Sequence, residues 1–210
     1  MARDKNNYAI QAEYAKSLFL RYDQEEIVRK LSLRSDEDYI YLPFFDMEYR
    51  VHRTTASVEK RKGDGKFEDG NSFNEVLTIF DVLCYSKAGA KLSGEWVNLA
   101  SLGQGFHSSN TGRDFFADSA KRLEPYEPRL AEAFAVLGGR KMPVGEPGYV
   151  LLAFPFLPVY MQYWQGDEEF PPQLRFLFDA NAVDFIHYET IYYLIEFLIQ
   201  RLFELLEGGR

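Results

Sequence analysis

The chain has 210 residues, of which 46% are hydrophobic and 16% aromatic, and its formal net charge is −8. A chain of this length buries roughly 70% of its unfolded surface, enough for a core without disulfide bonds or metal ions. The acidic balance and the scattered Lys and Arg residues are atypical of proteins that bind nucleic acid or anionic membranes, because contacts with phosphate supply most of that affinity. We therefore expect one globular domain over residues 1–210, with neither kind of partner.

Cysteine use indicates a reducing compartment. Cys84 is the only cysteine, which excludes a disulfide framework, an iron–sulfur cluster held by this chain and a CxxC zinc site. It lies in an apolar helical run, where a small buried residue is more typical than a nucleophile. The N-terminus lacks the apolar stretch of a signal peptide, and no segment resembles a membrane-spanning helix. These features predict a cytoplasmic protein.

The N-terminal segment, residues 1–35, is predicted to be helical. Alanines and a phenylalanine recur at helical spacing over 7–20. Asp23 and Glu26 have the spacing of a capping box, which predicts a second helix through Leu31.

Strands and helices alternate in groups along the rest of the chain. The polar, Gly-rich segment 61–72 is predicted to be a mobile loop. The helix predicted to follow it is apolar except for a narrow stripe that contains Asn74, Thr78 and Asp81. Strands are predicted at 39–45, 47–53, 149–155, 158–164 and 174–178, and helices at 73–85, 113–123, 128–137 and 188–207.

This order of elements predicts an α+β fold with a central, mainly antiparallel sheet and helices packed on it. The segment 165–173 is too short to cross between parallel strands, so the strands beside it should pair antiparallel. The last helix, 188–207, is apolar over most of its circumference. We expect it to be mostly buried, either within the chain or in a homodimer.

Several segments together resemble a known family. The most distinctive are GEWV at 94–97, GDEEFPP from Gly166, and LFDANA ending at Ala182. They resemble an uncharacterised bacterial and archaeal family, catalogued only as a domain of unknown function and frequent in anaerobes, over about 39–206. Some members carry an added cysteine-rich, ferredoxin-like segment, which this chain lacks. The resemblance implies no activity.

An acidic loop between two apolar strands is the first candidate site. Its carboxylates could hold Mg²⁺ or Ca²⁺, or share a proton in acid–base chemistry. The alternative is a solvated loop that blunts one end of the sheet, with Asp179 as an ordinary helix N-cap. The sequence does not match an EF-hand loop, so no metal is assigned. The candidate ligand-binding residues are Trp164, Asp167, Glu168, Glu169, Arg175 and Asp179.

A Gly-rich loop is the second candidate. Ser109 and Thr111 precede a predicted helix that contains Arg113, and free N–H groups beside a guanidinium can bind a phosphate or carboxylate. The loop lacks the ending of a P-loop, and its polar residues can equally cap the helix.

No catalytic set is evident in the sequence. His52, His107 and His187 lie in different elements without a helical partner, and there is no nucleophile elbow. The sequence therefore favours a binding or accessory domain for a small ligand or a protein partner, with the cofactor unknown. The alternatives are a metal-assisted hydrolase that uses the acidic loop and a structural dimer formed through the last helix.

Overall fold

The computed structural model of the protein describes residues 2–69, 71–103, 115–143 and 148–208, with side chains from Ile10 onward. By its internal contacts the chain divides into two compact units. Unit 1 comprises Met1–Lys91 and Val183–Phe197, and unit 2 comprises Leu92–Ala182 and Leu198–Arg210. The expectation of a single domain over residues 1–210 remains a prediction.

Helices and strands together form an α+β fold, as predicted. The helices are α1 (Ala2–Phe19), α2 (Gln24–Leu31), α3 (Phe73–Tyr85), α4 (Leu99–Leu102), α5 (Ala117–Leu123), α6 (Glu127–Val136) and α7 (Tyr188–Glu207). The strands are β1 (Arg34–Ser35), β2 (Tyr39–Phe44), β3 (Met47–His52), β4 (Val58–Arg61), β5 (Phe67–Glu68), β6 (Trp96–Asn98), β7 (Arg140–Lys141), β8 (Gly148–Phe154), β9 (Leu157–Trp164) and β10 (Gln173–Asp179). None of these described helices is long and apolar enough to span a membrane.

The sheet of unit 1 is an antiparallel meander in the order β1-β2-β3-β4-β5. In β2, Ile40 and Leu42 are fully buried while Tyr39 and Tyr41 are half-buried, because successive side chains in a strand point to opposite faces. The segment 61–72, predicted to be a loop, contains β5, and the turn between β4 and β5 passes through Gly65 at φ +84°.

A polar cluster lies inside unit 1. Ser72 and Glu75 form the capping box that starts α3, and Glu75 is only 2% exposed. Its carboxylate also accepts hydrogen bonds from the Tyr49 hydroxyl at 2.5 Å and the Lys60 ammonium at 2.8 Å. Burial alone would raise the pKa of Glu75, but these hydrogen bonds outweigh it and hold the pKa below its usual value. The cluster connects α3 to β3 and β4.

The sheet of unit 2 is also antiparallel, in the order β6-β10-β9-β8-β7. The strands β9 and β10 pair as predicted, with Trp164 opposite Gln173. The expected antiparallel pairing is thus confirmed, but the strands lie in two sheets where the sequence predicted one central sheet. The short strands β1, β5 and β7 lack a clear alternation of polar and apolar residues, so the sequence did not indicate them.

The last helix, α7, has the predicted bounds and is largely buried. Its apolar residues are at most 5% exposed at Leu194, Ile195, Phe197, Leu198, Leu202, Phe203 and Leu206. The helix predicted over 113–123 is observed only as Ala117–Leu123, and residues 113 and 114 lie outside the described residues.

Candidate functional site

Unit 1 contains an apolar cavity of about 480 Å³. One wall is α1, which contributes Ala15 and Leu18, and the other is α3, which contributes Leu77 and Phe80. The two helices contact each other through Phe19 and Phe80, whose ring centroids are 5.4 Å apart. The cavity volume lies within the range of roughly 300–1,000 Å³ that is usual for small-molecule sites.

Large apolar side chains of α1 and the residues after it surround the cavity while exposed to solvent. Ile10 is 58% exposed, Tyr14 is 63% exposed and Tyr22 is 42% exposed, and all three line the cavity. A cluster of exposed apolar side chains on a soluble protein commonly marks a binding surface. An apolar molecule would therefore gain free energy by leaving water for this cavity.

Asp81 and His187 form a charged and polar pair on the cavity wall. The Asp81 carboxylate accepts a hydrogen bond from the backbone N–H of His187 at 2.8 Å and contacts its ring Nδ1 at 2.5 Å. Because a carboxylate only accepts, Nδ1 carries a proton in this contact, and in the neutral form of the ring Nε2 is then an acceptor. The Asp81 carboxylate therefore fixes the orientation of the His187 ring.

Local structure explains how the pair is assembled. Asp81 lies on α3, within the polar stripe of an otherwise apolar helix, and His187 immediately precedes α7. The His187 carbonyl accepts the hydrogen bond of Thr190 N–H, so His187 starts the first turn of α7. A carboxylate is favoured at this end of a helix because the helix dipole is positive there. Asp81 thus anchors α7 and orients the imidazole.

Tyr85 completes the polar wall. Its ring lies against the His187 imidazole with centroids 3.5 Å apart and an interplanar angle of 33°. The His187 side chain is 50% exposed, and among the described residues Nε2 has no hydrogen-bond partner. The imidazole is therefore held on one edge and one face, and its Nε2 keeps its hydrogen-bonding capacity.

The thiol next to this wall is not reactive. Burial raises the pKa of Cys84 to about 12, despite the nearby Lys30 ammonium, so the thiol stays protonated at neutral pH. Lys30 donates hydrogen bonds to the carbonyls of Cys84 and Ser86. The structure agrees with the sequence-based interpretation of Cys84 as a small buried residue.

The predicted acidic loop forms a turn at one end of the sheet in unit 2. The Asp167 carboxylate accepts hydrogen bonds from the N–H groups of Glu169 and Phe170, which also lowers its pKa. Glu168 and Glu169 are exposed. The Arg175 guanidinium lies over the Trp164 ring, 5.0 Å from its centroid, and forms no ion pair with the described loop carboxylates. The loop behaves as a solvated turn.

Asp179 is not part of this loop cluster. It lies at the opposite end of β10, six residues from Gln173, which corresponds to roughly 20 Å along a strand. Its carboxylate accepts hydrogen bonds from both N–H and hydroxyl of Ser93 and from the N–H groups of Gly94 and Asn181. Instead of capping the short helix at 182–184, as predicted, it anchors the loop before β6.

The remaining predicted residues give no site that can be described. Ser109, Thr111, Arg113 and His107 lie outside the described residues. His52 interacts with its neighbour Thr54 through Nδ1. Within the part of the chain that the structure describes, no group of three or more His, Cys, Asp or Glu side chains could hold a metal ion.

Unit 2 has a second, smaller cavity of about 300 Å³ beside α6. Tyr163 contributes to its lining, and the hydroxyl of Tyr163 is buried without a hydrogen-bond partner among the described residues. Burial, with smaller contributions from Glu124 and Glu127, raises its pKa to about 12. The hydroxyl is therefore protonated, but its surroundings do not indicate which molecule it would meet.

Sequence reasoning missed the Asp81–His187 pair. The polar stripe on α3 was visible, but nothing in the sequence indicated that a histidine 106 positions later lies against it. The structure thus defines an α+β protein with a preformed apolar cavity and one oriented imidazole in unit 1.

The chain belongs to the family described as Domain of unknown function (DUF3786), whose model matches residues 23–201. This confirms the resemblance found in the sequence, whereas the links to anaerobes and to a ferredoxin-like segment stay predictions. No curated protein and no solved structure matches the chain. The matched region contains Asp81, Tyr85 and His187, while α1 precedes it.

Proposed function

We propose that this protein is a binding domain for a small, largely apolar molecule, which occupies the cavity between α1 and α3. The observation that carries the proposal is the cavity itself, with an apolar lining and a volume of about 480 Å³. Sites for small molecules are typically concave and apolar, with a few polar groups that orient the ligand. The pair of Asp81 and His187 supplies such groups here. The predicted cytoplasmic location is part of the same proposal.

The other functions considered have less support. The acidic loop forms its own turn, and no described group of carboxylates converges on a metal position. In the unit 1 sheet, Arg34 lies over the Tyr41 ring and Arg61 over the Phe67 ring, and proteins that bind nucleic acid also combine arginines with aromatic rings. However, Arg34 and Arg61 pair with Glu48, and Arg50 pairs with Glu59, so little positive charge is left for phosphates.

Naphthalene is a suitable first probe, because it is apolar, rigid and fluorescent. We expect saturable binding with one molecule per chain, together with a rise in melting temperature that grows with probe concentration. Calorimetric titration and a thermal melt measure the two effects. Ala15→Trp and Leu77→Trp place an indole in the cavity from α1 and from α3, respectively, and should abolish both effects.

The matched control is Ala135→Trp, which adds the same indole on the exposed side of α6 and should bind naphthalene like the parent. Circular dichroism shows whether each variant is folded, and two independent filling variants keep the test decisive if one unfolds. Absence of saturable binding to the parent, or equal binding by the folded filling variants, would overturn the proposal.

A further inference from the structure

We infer that the ligand of this cavity carries a hydroxyl group, alcoholic or phenolic, which donates a hydrogen bond to Nε2 of His187. The inference rests on the proposed function and names the chemical class of the ligand. It is carried by the orientation of the imidazole, whose Nδ1 lies 2.5 Å from the Asp81 carboxylate. With a proton on Nδ1, the ring in its neutral form presents a lone pair at Nε2.

Contacts with Asp81 and Tyr85 fix the orientation of the His187 imidazole. Its Nδ1 edge is held by Asp81 and one of its faces lies against Tyr85, at a centroid distance of 3.5 Å. The backbone N–H of His187 is bound to the same carboxylate. A donor reaching Nε2 therefore meets an acceptor that is already oriented, so little conformational entropy is lost on binding.

The charges around the cavity favour a neutral donor over an ion. No Lys or Arg is among the described residues that line the cavity, and the one carboxylate there, Asp81, would repel a ligand carboxylate. An ammonium group would lose hydration beside apolar walls, and each Asp81 oxygen already accepts one hydrogen bond from His187. A hydroxyl group can donate to Nε2 without carrying a charge into the site.

Two of the tyrosines that line the cavity, Tyr14 and Tyr22, are weaker candidates for this recognition. Tyr14 and Tyr22 are 63% and 42% exposed, and among the described residues no side-chain hydrogen bond fixes the position of either hydroxyl group. Thr190 is 8% exposed, and its backbone N–H already belongs to the first turn of α7. His187 is thus a lining residue that combines a fixed orientation with an Nε2 atom that has no protein partner in the described region.

The test compares ligands of one shape and different head groups. We expect 2-naphthol to bind roughly three- to tenfold more tightly than 2-methoxynaphthalene, which keeps the oxygen but cannot donate. In His187→Phe, which keeps an aromatic ring beside Tyr85 and removes Nε2, the two ligands should bind equally. His52→Phe changes a histidine outside the cavity and should keep the parent's preference.

Charged analogues provide the remaining arms of the test. The 2-naphthoate anion and the 2-naphthylmethylammonium cation should both bind more weakly than 2-naphthol. Tighter binding of either ion, or equal affinity for 2-naphthol and its methyl ether in the parent, would overturn the assignment of a hydroxyl ligand. Naphthalene binding would in that case still support the proposed function, whereas failure of naphthalene and all its derivatives to bind would contradict both.

Discussion

The Asp179 carboxylate accepts hydrogen bonds from the N–H and the hydroxyl of Ser93, at 2.9 and 3.0 Å, across 86 positions of the chain. It also holds the N–H of Gly94, a residue at φ +82°. This contact brings together GEWV and LFDANA, two of the most distinctive segments of the sequence. Both therefore have a structural role at the pairing of β6 with β10.

We predict that Asp179→Asn lowers the free energy of unfolding by about 1–3 kcal/mol, because the amide group that replaces one oxygen cannot accept a hydrogen bond. Chemical denaturation of the variant and the parent measures the difference. Asp167→Asn is the matched control, since Asp167 is exposed, and it should cost clearly less. Equal stability of both variants would contradict the anchoring role.

Replacing the buried Glu75 should lower the free energy of unfolding more than replacing Asp179. Glu75→Gln leaves Lys60, whose side chain is 15% exposed, without its charged partner, and removing one partner of a buried ion pair typically costs about 3–5 kcal/mol. Thermal and chemical unfolding measure the loss. Glu13→Gln breaks an exposed pair with Lys16 and should change stability by less than about 1 kcal/mol.

The lowered pKa of Glu75 predicts that the folding stability of the protein depends on pH. Because the folded state lowers the pKa of Glu75, its stabilising contribution is complete above the pKa of the unfolded chain and is lost as the pH falls through the folded value. The parent should therefore lose more stability than Glu75→Gln between roughly pH 6 and pH 3. Parallel curves of unfolding free energy against pH would contradict the low pKa.

The buried positions of α7 can be tested by truncation. Leu198 and Leu202 are fully buried, so changing either to Ala should cost about 2–5 kcal/mol. Leu152→Ala, at a position that is 40% exposed, is the control and should cost much less. Melting temperatures within a degree or two of the parent for both α7 variants would show that the helix is peripheral.

The sequence left open whether α7 is buried within the chain or in a homodimer. Because the apolar side chains of α7 are already buried within the chain, we expect light scattering to give the mass of one chain, 24.4 kDa, over a wide concentration range. A mass near twice this value would show that another surface associates.

Local patterns were enough to predict most elements. Asp23 caps α2, as its spacing from Glu26 predicted, and the apolar periodicity of 73–85 extends to the observed end of α3. The antiparallel pairing of β9 and β10 follows from the shortness of the segment between them, because such a loop can only return the chain beside itself. These features depend on residues a few positions apart, and a sequence records such relationships directly.

The candidate site depends on tertiary structure. Asp81 and His187 are 106 positions apart, and neither residue has a neighbour in sequence that indicates a partner. Asp179 appeared to belong with the acidic loop because it is near in sequence, yet an extended strand carries it to the other end of the sheet. Helix packing brings α3 against the start of α7, and strand geometry separates residues of one segment. Both effects follow from the path of the chain in three dimensions, which local periodicity does not determine.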